Sequence, residues 1–142
     1  MVDKATLDLL LTNLQRYVSV LRDLSTVPRD AFLGNPDKIG NAKYHFVIAI
    51  ECAIDIANHV IASENFRFPK DNADSFAVLV ERGVIEEGLR VVLPAMARFR
   101  NRLVHMYFDV DDARVWEFLG TSLPDFDRFA RAVAERYRDE TG

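Results

Sequence analysis

Arg100-Asn101-Arg102-Leu103-Val104-His105-Met106-Tyr107 gathers three chemically capable side chains in one short, otherwise apolar run. Arg100 is a permanent cation with five N–H donors in a planar fork, His105 can exchange a proton near neutral pH, and Tyr107 offers a hydroxyl. An arginine to neutralise phosphoryl oxygens and a histidine to move a proton are what a phosphate-handling site needs. The tyrosine hydroxyl could serve a modification switch. With 14 Arg, 3 His and 4 Tyr in 142 positions, Arg-x4-His-x-Tyr is expected by chance only ~0.008 times.

Charge gathers around the same run. The chain carries a net −4, which argues against a general nucleic-acid coat protein. Between Gly88 and Phe108, however, stand four arginines (Arg90, Arg98, Arg100 and Arg102) and no acid, so this stretch is +4 and the remainder −8. A phosphate could use that charge; the plainer alternative is a solvated, arginine-rich helix face. A chain that is 49% hydrophobic, with mean hydropathy −0.04, can bury a core in one domain over residues 1–142. No apolar run is expected to span a bilayer, and Met1-Val2-Asp3-Lys4 lacks the layout of a secretory signal. Cys52 stands alone, which excludes an internal disulfide and a cysteine-based metal cluster. A cytoplasmic, membrane-free setting is the expectation.

Helices must position the motif. Leu7, Leu10, Leu11, Leu14, Tyr17, Val18 and Leu21 recur at helical spacing over residues 3–24. Residues 30–40, with two glycines and Pro36, read as a connection. A second helix over 41–63 has Phe46, Val47, Ile50, Ile54, Ala57 and Ile61 on its core stripe, and Tyr44, Glu51, Asp55, Asn58 and His59 opposite. A short helix over 72–82 ends at Gly83, suited to a C-cap. The fourth segment, 86–104, carries the motif, with Pro94 either kinking it or marking where its regular part begins. A fifth spans 111–138, capped by Asp111 or Asp112; Pro124 can interrupt it, with Thr121-Ser122 capping a second piece. Strand-like alternation is absent. The expected fold is all-α, a bundle of four main helices plus a short one.

On a helical wheel Arg100 falls inside the apolar stripe between Met96 and Leu103, where an unpartnered charge is rare. It must face a pocket, meet a second chain, or pair with an acid, for which Glu51 and Asp55 on the second helix are candidates. His105 lies about 140° away on an ideal helix, so joint action with Arg100 requires the helix to end or distort near Val104, long side chains to reach around, or two chains to contribute. Tyr107 returns to the stripe of Leu89. Glu51, Asp55 and His59 share a helix side at metal-ligand spacing, but a solvated face is the commoner meaning. Trp116 and Cys52 read as packing residues, and His45 belongs to no constellation.

The run Arg100-Asn101-x-Leu-Val-His105-x-Tyr107, followed by Asp109-Val110-Asp111, resembles the signature of HepT-like toxins, small helical proteins of the HEPN superfamily. The stretch Glu51-Cys-Ala-Ile-Asp55-Ile-Ala-Asn-His59 resembles their second helix, and Asp125-Phe126 with Phe129 their C-terminal helix. The resemblance implies an HEPN-like bundle and a ribonuclease toxin that needs neither metal nor cofactor, with Arg100 and His105 as catalytic pair. RNA supplies its own 2′-OH nucleophile, so the protein need only stabilise the phosphoryl charge and shuttle protons. Asn101, Arg102, Glu51 and Asp55 would support the pair. The resemblance further implies a homodimer, RNA as substrate, and an MntA-like nucleotidyltransferase antitoxin that transfers AMP to Tyr107. The rival reading is a non-catalytic subunit that holds a nucleotide or docks the nucleotidyltransferase in the same basic cleft; a helical assembly protein is a third.

Overall fold

The computed structural model describes residues 1–137. Seven α-helices are present among them: α1 Lys4–Ser25, α2 Arg29–Leu33, α3 Pro36–Ser63, α4 Asn72–Glu81, α5 Val92–His105, α6 Asp112–Thr121 and α7 Leu123–Tyr137. Short 3-10 turns cover Glu87–Leu89 and Tyr107–Asp109. The described residues hold no strand. The all-α expectation holds, with more pieces than four helices and a short one.

α3 is the central element, packed against α1, α2, α4, α5 and α6. One stripe does not describe it. Ala49, Cys52, Ala53, Ile56 and Val60 are buried along with Phe46, Ile50 and Ile54, because helices flank it on several sides. By length and composition α3 could cross a bilayer, contrary to the expectation from sequence, but 56% of its most apolar window is buried inside the bundle. The bundle itself takes up that hydrophobicity.

The expected connection over 30–40 is largely helical. Asn35 is extended and its side chain accepts from Lys38 N–H, while Pro36 occupies the first turn, so α3 starts five residues earlier than its apolar pattern. The motif segment does not begin at residue 86. Its first part is a 3-10 turn, and α5 starts at Val92 with Pro94 in the first turn, where a missing N–H goes unnoticed. The fifth segment is two helices. Ser122 ends α6, and its Oγ donates back to Phe118 O at 2.5 Å rather than capping α7. Residue 138, where the fifth helix was expected to end, lies outside the described residues. Gly83 takes φ +71° after α4, a conformation costly for any side chain, and Val84 N–H closes onto Leu79 O.

Candidate functional site at the end of helix 5

α5 is anchored by Leu93, Met96, Phe99 and Leu103, all buried. The Phe99 ring stacks on Phe118 at 4.3 Å and meets the edge of Phe46 at 5.7 Å. This fixes how α5 is turned about its axis and therefore where Arg100 points. The Arg100 side chain is 22% exposed and crosses to α3, where its Nε and Nη2 donate to Glu51 Oε1 at 3.0 and 2.5 Å. Its Nη1 donates to Asn101 Oδ1 at 3.0 Å. The guanidinium is thus clamped along one edge and braced at one corner, with N–H bonds of Nη1 and Nη2 still free to donate.

Asp55, one turn further along α3, takes no part in the clamp. It is exposed; partial burial, and then the charge of Glu51, hold its carboxyl above the usual range. Among the described residues, no three His, Cys, Asp or Glu groups stand close enough to hold a metal ion, so Glu51, Asp55 and His59 do not converge. Trp116 is half-buried and donates from Nε1 to Val27 O, and Cys52 is buried with its thiol on Leu10 O. Burial raises the Cys52 thiol to about 11, assisted by the charge of Asp55.

α5 stops at His105. Met106 leaves the helix at φ −135°, ψ 44°, although its N–H still donates to Arg102 O. Arg102 and His105 in the last turn suit the negative end of the helix dipole. Both are exposed, as are Asn101 and Arg98. The His105 ring makes no hydrogen bond with other described residues. The end of the helix also overturns the placement of Tyr107 on the α5 stripe. Tyr107 sits in the following 3-10 turn, 43% exposed, so the wheel angle does not apply to it.

Sequence reasoning missed Lys43. It is 5% exposed, and its Nζ lies 3.1 Å from Asp112 Oδ1 and 4.3 Å above the centre of the Tyr107 ring. The available signal was its spacing: Lys43, Val47 and Glu51 recur every four residues along the side of α3 that faces the end of α5. Around this point Tyr44, Val104, Met106, Tyr107 and Phe108 leave large apolar surfaces in solvent, Phe108 almost completely.

A family model described as ribonuclease HepT-like matches residues 14–133. The chain belongs to that family. An mRNA nuclease HepT from Shewanella oneidensis is 33% identical over 83 residues, covering 58% of this chain and 62% of the relative. The match thus spans less than two thirds of that relative. A tRNA nuclease HepT from Aphanizomenon flos-aquae is 22% identical over 118 residues, 83% of this chain and 80% of the relative. Among solved structures, the tri-AMPylated Shewanella oneidensis HEPN toxin in complex with MNT antitoxin superposes with a TM-score of 0.84 at 22% identity, covering 91% of this chain and 96% of that one. That likeness establishes the HEPN fold. Within this bundle α5 ends at His105, so the Arg-x4-His-x-Tyr run of this HepT-like chain straddles a helix end.

Proposed function

We propose that this protein is the toxin half of a toxin–antitoxin pair, a cytoplasmic, metal-independent endoribonuclease working through Arg100 and His105. One observation carries the reading: in a chain of the HepT-like ribonuclease family, the motif arginine is held half-buried by Glu51 while the motif histidine stands free at the helix terminus. The clamped guanidinium presents donors to the non-bridging oxygens of an RNA phosphate, where charge grows in the transition state. His105 takes the proton of the 2′-OH or gives one to the leaving 5′-oxygen. The products are a 2′,3′-cyclic phosphate and a 5′-hydroxyl. Asn101 braces Arg100, and the exposed Arg98 and Arg102 attract the backbone on either side.

One histidine cannot serve as base and acid at once. The exposed apolar surface of Tyr44, Val104, Met106 and Phe108 beside it supports a homodimer that brings two motifs together. Tyr107 is the acceptor for AMP delivered by a nucleotidyltransferase antitoxin, the kind of partner with which the solved Shewanella toxin is found. AMP at Tyr107 adds bulk and negative charge two residues from His105, at the place where RNA must bind.

Purified protein incubated with RNA in EDTA tests the nuclease. Cleavage is expected in the wild type and lost in Arg100→Ala and His105→Ala, whose folding is checked by circular dichroism. Intact RNA at high wild-type protein refutes it and favours a non-catalytic subunit.

A further inference from the structure

We propose that Lys43 is a phosphate receptor serving Tyr107: its ammonium orients the phenol for nucleotide transfer and afterwards binds the phosphodiester formed there. The proposal rests on the reading of Tyr107 as the AMP acceptor.

Lys43 is the one buried charged residue among the described residues. Burying an ammonium is costly, and where only packing matters an apolar residue serves as well or better. The compensation here is thin and uneven. Nζ has one carboxylate oxygen at 3.1 Å and the face of the Tyr107 ring at 4.3 Å. The Lys43 side chain is 7% exposed, while its partner Asp112 is 45% exposed. Asp112 can therefore turn out to water, whereas Lys43 has no such exit. An anion arriving beside Tyr107 competes with Asp112 on favourable terms.

There is space for one. Gly40, Lys43, Tyr44, Val47, Leu103 and Tyr107 line a groove of about 220 Å³ between α3 and the end of α5, several times the ~30 Å³ that one water occupies. Gly40 keeps its floor open. A Cβ there meets nothing within 4 Å, so packing does not demand a glycine, and helical propensity favours alanine inside a helix.

The chemistry assigns each group a place. Tyr107 Oη bonds to the α-phosphorus of a nucleoside triphosphate while the bond from that phosphorus to the bridging oxygen breaks. Pyrophosphate leaves, and the phenolic proton passes to a base of the transferase or to water. The ring must present its edge to the transferase with its face fixed, and the cation over that face fixes it. The product phosphodiester carries one negative charge beside the ammonium, which exchanges Asp112 for it in a charge-assisted hydrogen bond. Asp112 is the first residue of α6, so the exchange releases a contact that ties α6 to α3.

The test uses the full chain with its nucleotidyltransferase partner and ATP, and intact mass with peptide mapping reads the rate of AMP addition at Tyr107. Lys43→Met keeps the apolar stem and removes the charge; the rate should fall roughly ten- to a hundredfold, the worth of one charge-assisted hydrogen bond. Lys43→Arg should restore most of it, and Asp112→Asn, which leaves the ammonium without its competitor, should match or exceed the wild type. Equal rates in wild type and Lys43→Met overturn the proposal, as does a loss in Asp112→Asn as large as in Lys43→Met. A wild type that accepts no AMP on Tyr107 refutes the reading beneath it, and AMP alone then decides about Lys43. In NMR titrations, shifts of the Tyr107 ring that occur in the wild type and vanish in Lys43→Met support the receptor; no shift in the wild type overturns it.

Discussion

Replacing Glu51 with alanine tests whether the clamp on Arg100 matters for chemistry or only for packing. Glu51 Oε1 receives two N–H bonds from Arg100, at 3.0 and 2.5 Å, with side chains 22% and 41% exposed. A charged hydrogen bond contributes about 1.5–3 kcal/mol when well shielded, but exposed pairs fall to about 1 kcal/mol or less. Both bonds end on one oxygen and the glutamate is partly solvated, so about 1–2 kcal/mol is a fair figure for the pair. In a chain of this size that lowers the melting temperature by roughly 2–8 °C. The kinetic consequence separates the two roles. Arg100 keeps its charge and still attracts RNA, so KM should change little. Its fork is no longer aimed, and a misplaced electrostatic stabiliser costs roughly tenfold or more in kcat. Glu51→Gln, which keeps an acceptor oxygen at the same reach, should recover part of kcat. The assay is steady-state cleavage of a fluorescent RNA alongside thermal melting. An Ala variant that melts lower yet keeps its full kcat refutes the aiming argument, because the clamp would then serve stability alone.

Three further outcomes follow from the same structure. Phe108→Asp, at an almost fully exposed phenylalanine, should convert a dimer into a monomer in light scattering without lowering the melting temperature of the monomer; an unchanged mass removes the apolar surface from the interface. Asp74 is held at about 2, below its ordinary 3.8, chiefly by hydrogen bonds from Arg67 and then by the Lys70 N–H. Its contribution to stability is complete above pH 4 and is lost as pH falls toward 2, so Asp74→Asn should flatten that part of the acid-denaturation curve; parallel curves for both proteins contradict the assignment. Cys52, raised to about 11 by burial, should resist alkylation at pH 8 in the folded protein and react promptly in denaturant; rapid labelling of the native protein would mean that α3 opens locally around it.

The long helices were legible because their information is local. Leu7, Leu11, Leu14, Val18 and Leu21 repeat at helical spacing and are all buried in α1. The early start of α3 was hidden because Asn35 and Pro36 read equally well as a turn; only the hydrogen bond from Lys38 N–H to the Asn35 side chain distinguishes them. The break between α6 and α7 was legible as a possibility through Pro124. Whether Ser122 would cap the second helix or turn back onto the first depends on where neighbouring elements hold the chain, which spacing does not encode.

The candidate site divides in the same way. The sequence singles out Arg100, His105 and Tyr107 by type, but a wheel holds only while the helix lasts, and α5 ends between the second and third of them. That ending leaves His105 exposed in the last turn and carries Tyr107 off the α5 stripe toward Lys43. The choice between Glu51 and Asp55 was equally out of reach, since both lie on one side of α3 and either suits an arginine. Arg100 meets Glu51 where the contacts of Phe99 with Phe118 and Phe46 seat α5 against its neighbours. An aromatic contact thus helps seat the helix that carries the arginine, and removing it should matter beyond its packing. Phe99→Leu keeps an apolar side chain but loses the stack, so α5 can turn about its axis. Kinetic damage should then resemble that of Glu51→Ala more closely than the stability loss alone would suggest. Combining the two substitutions should add little further loss of kcat, because both act through the orientation of one guanidinium. Fully additive losses would mean that the stack and the clamp act independently.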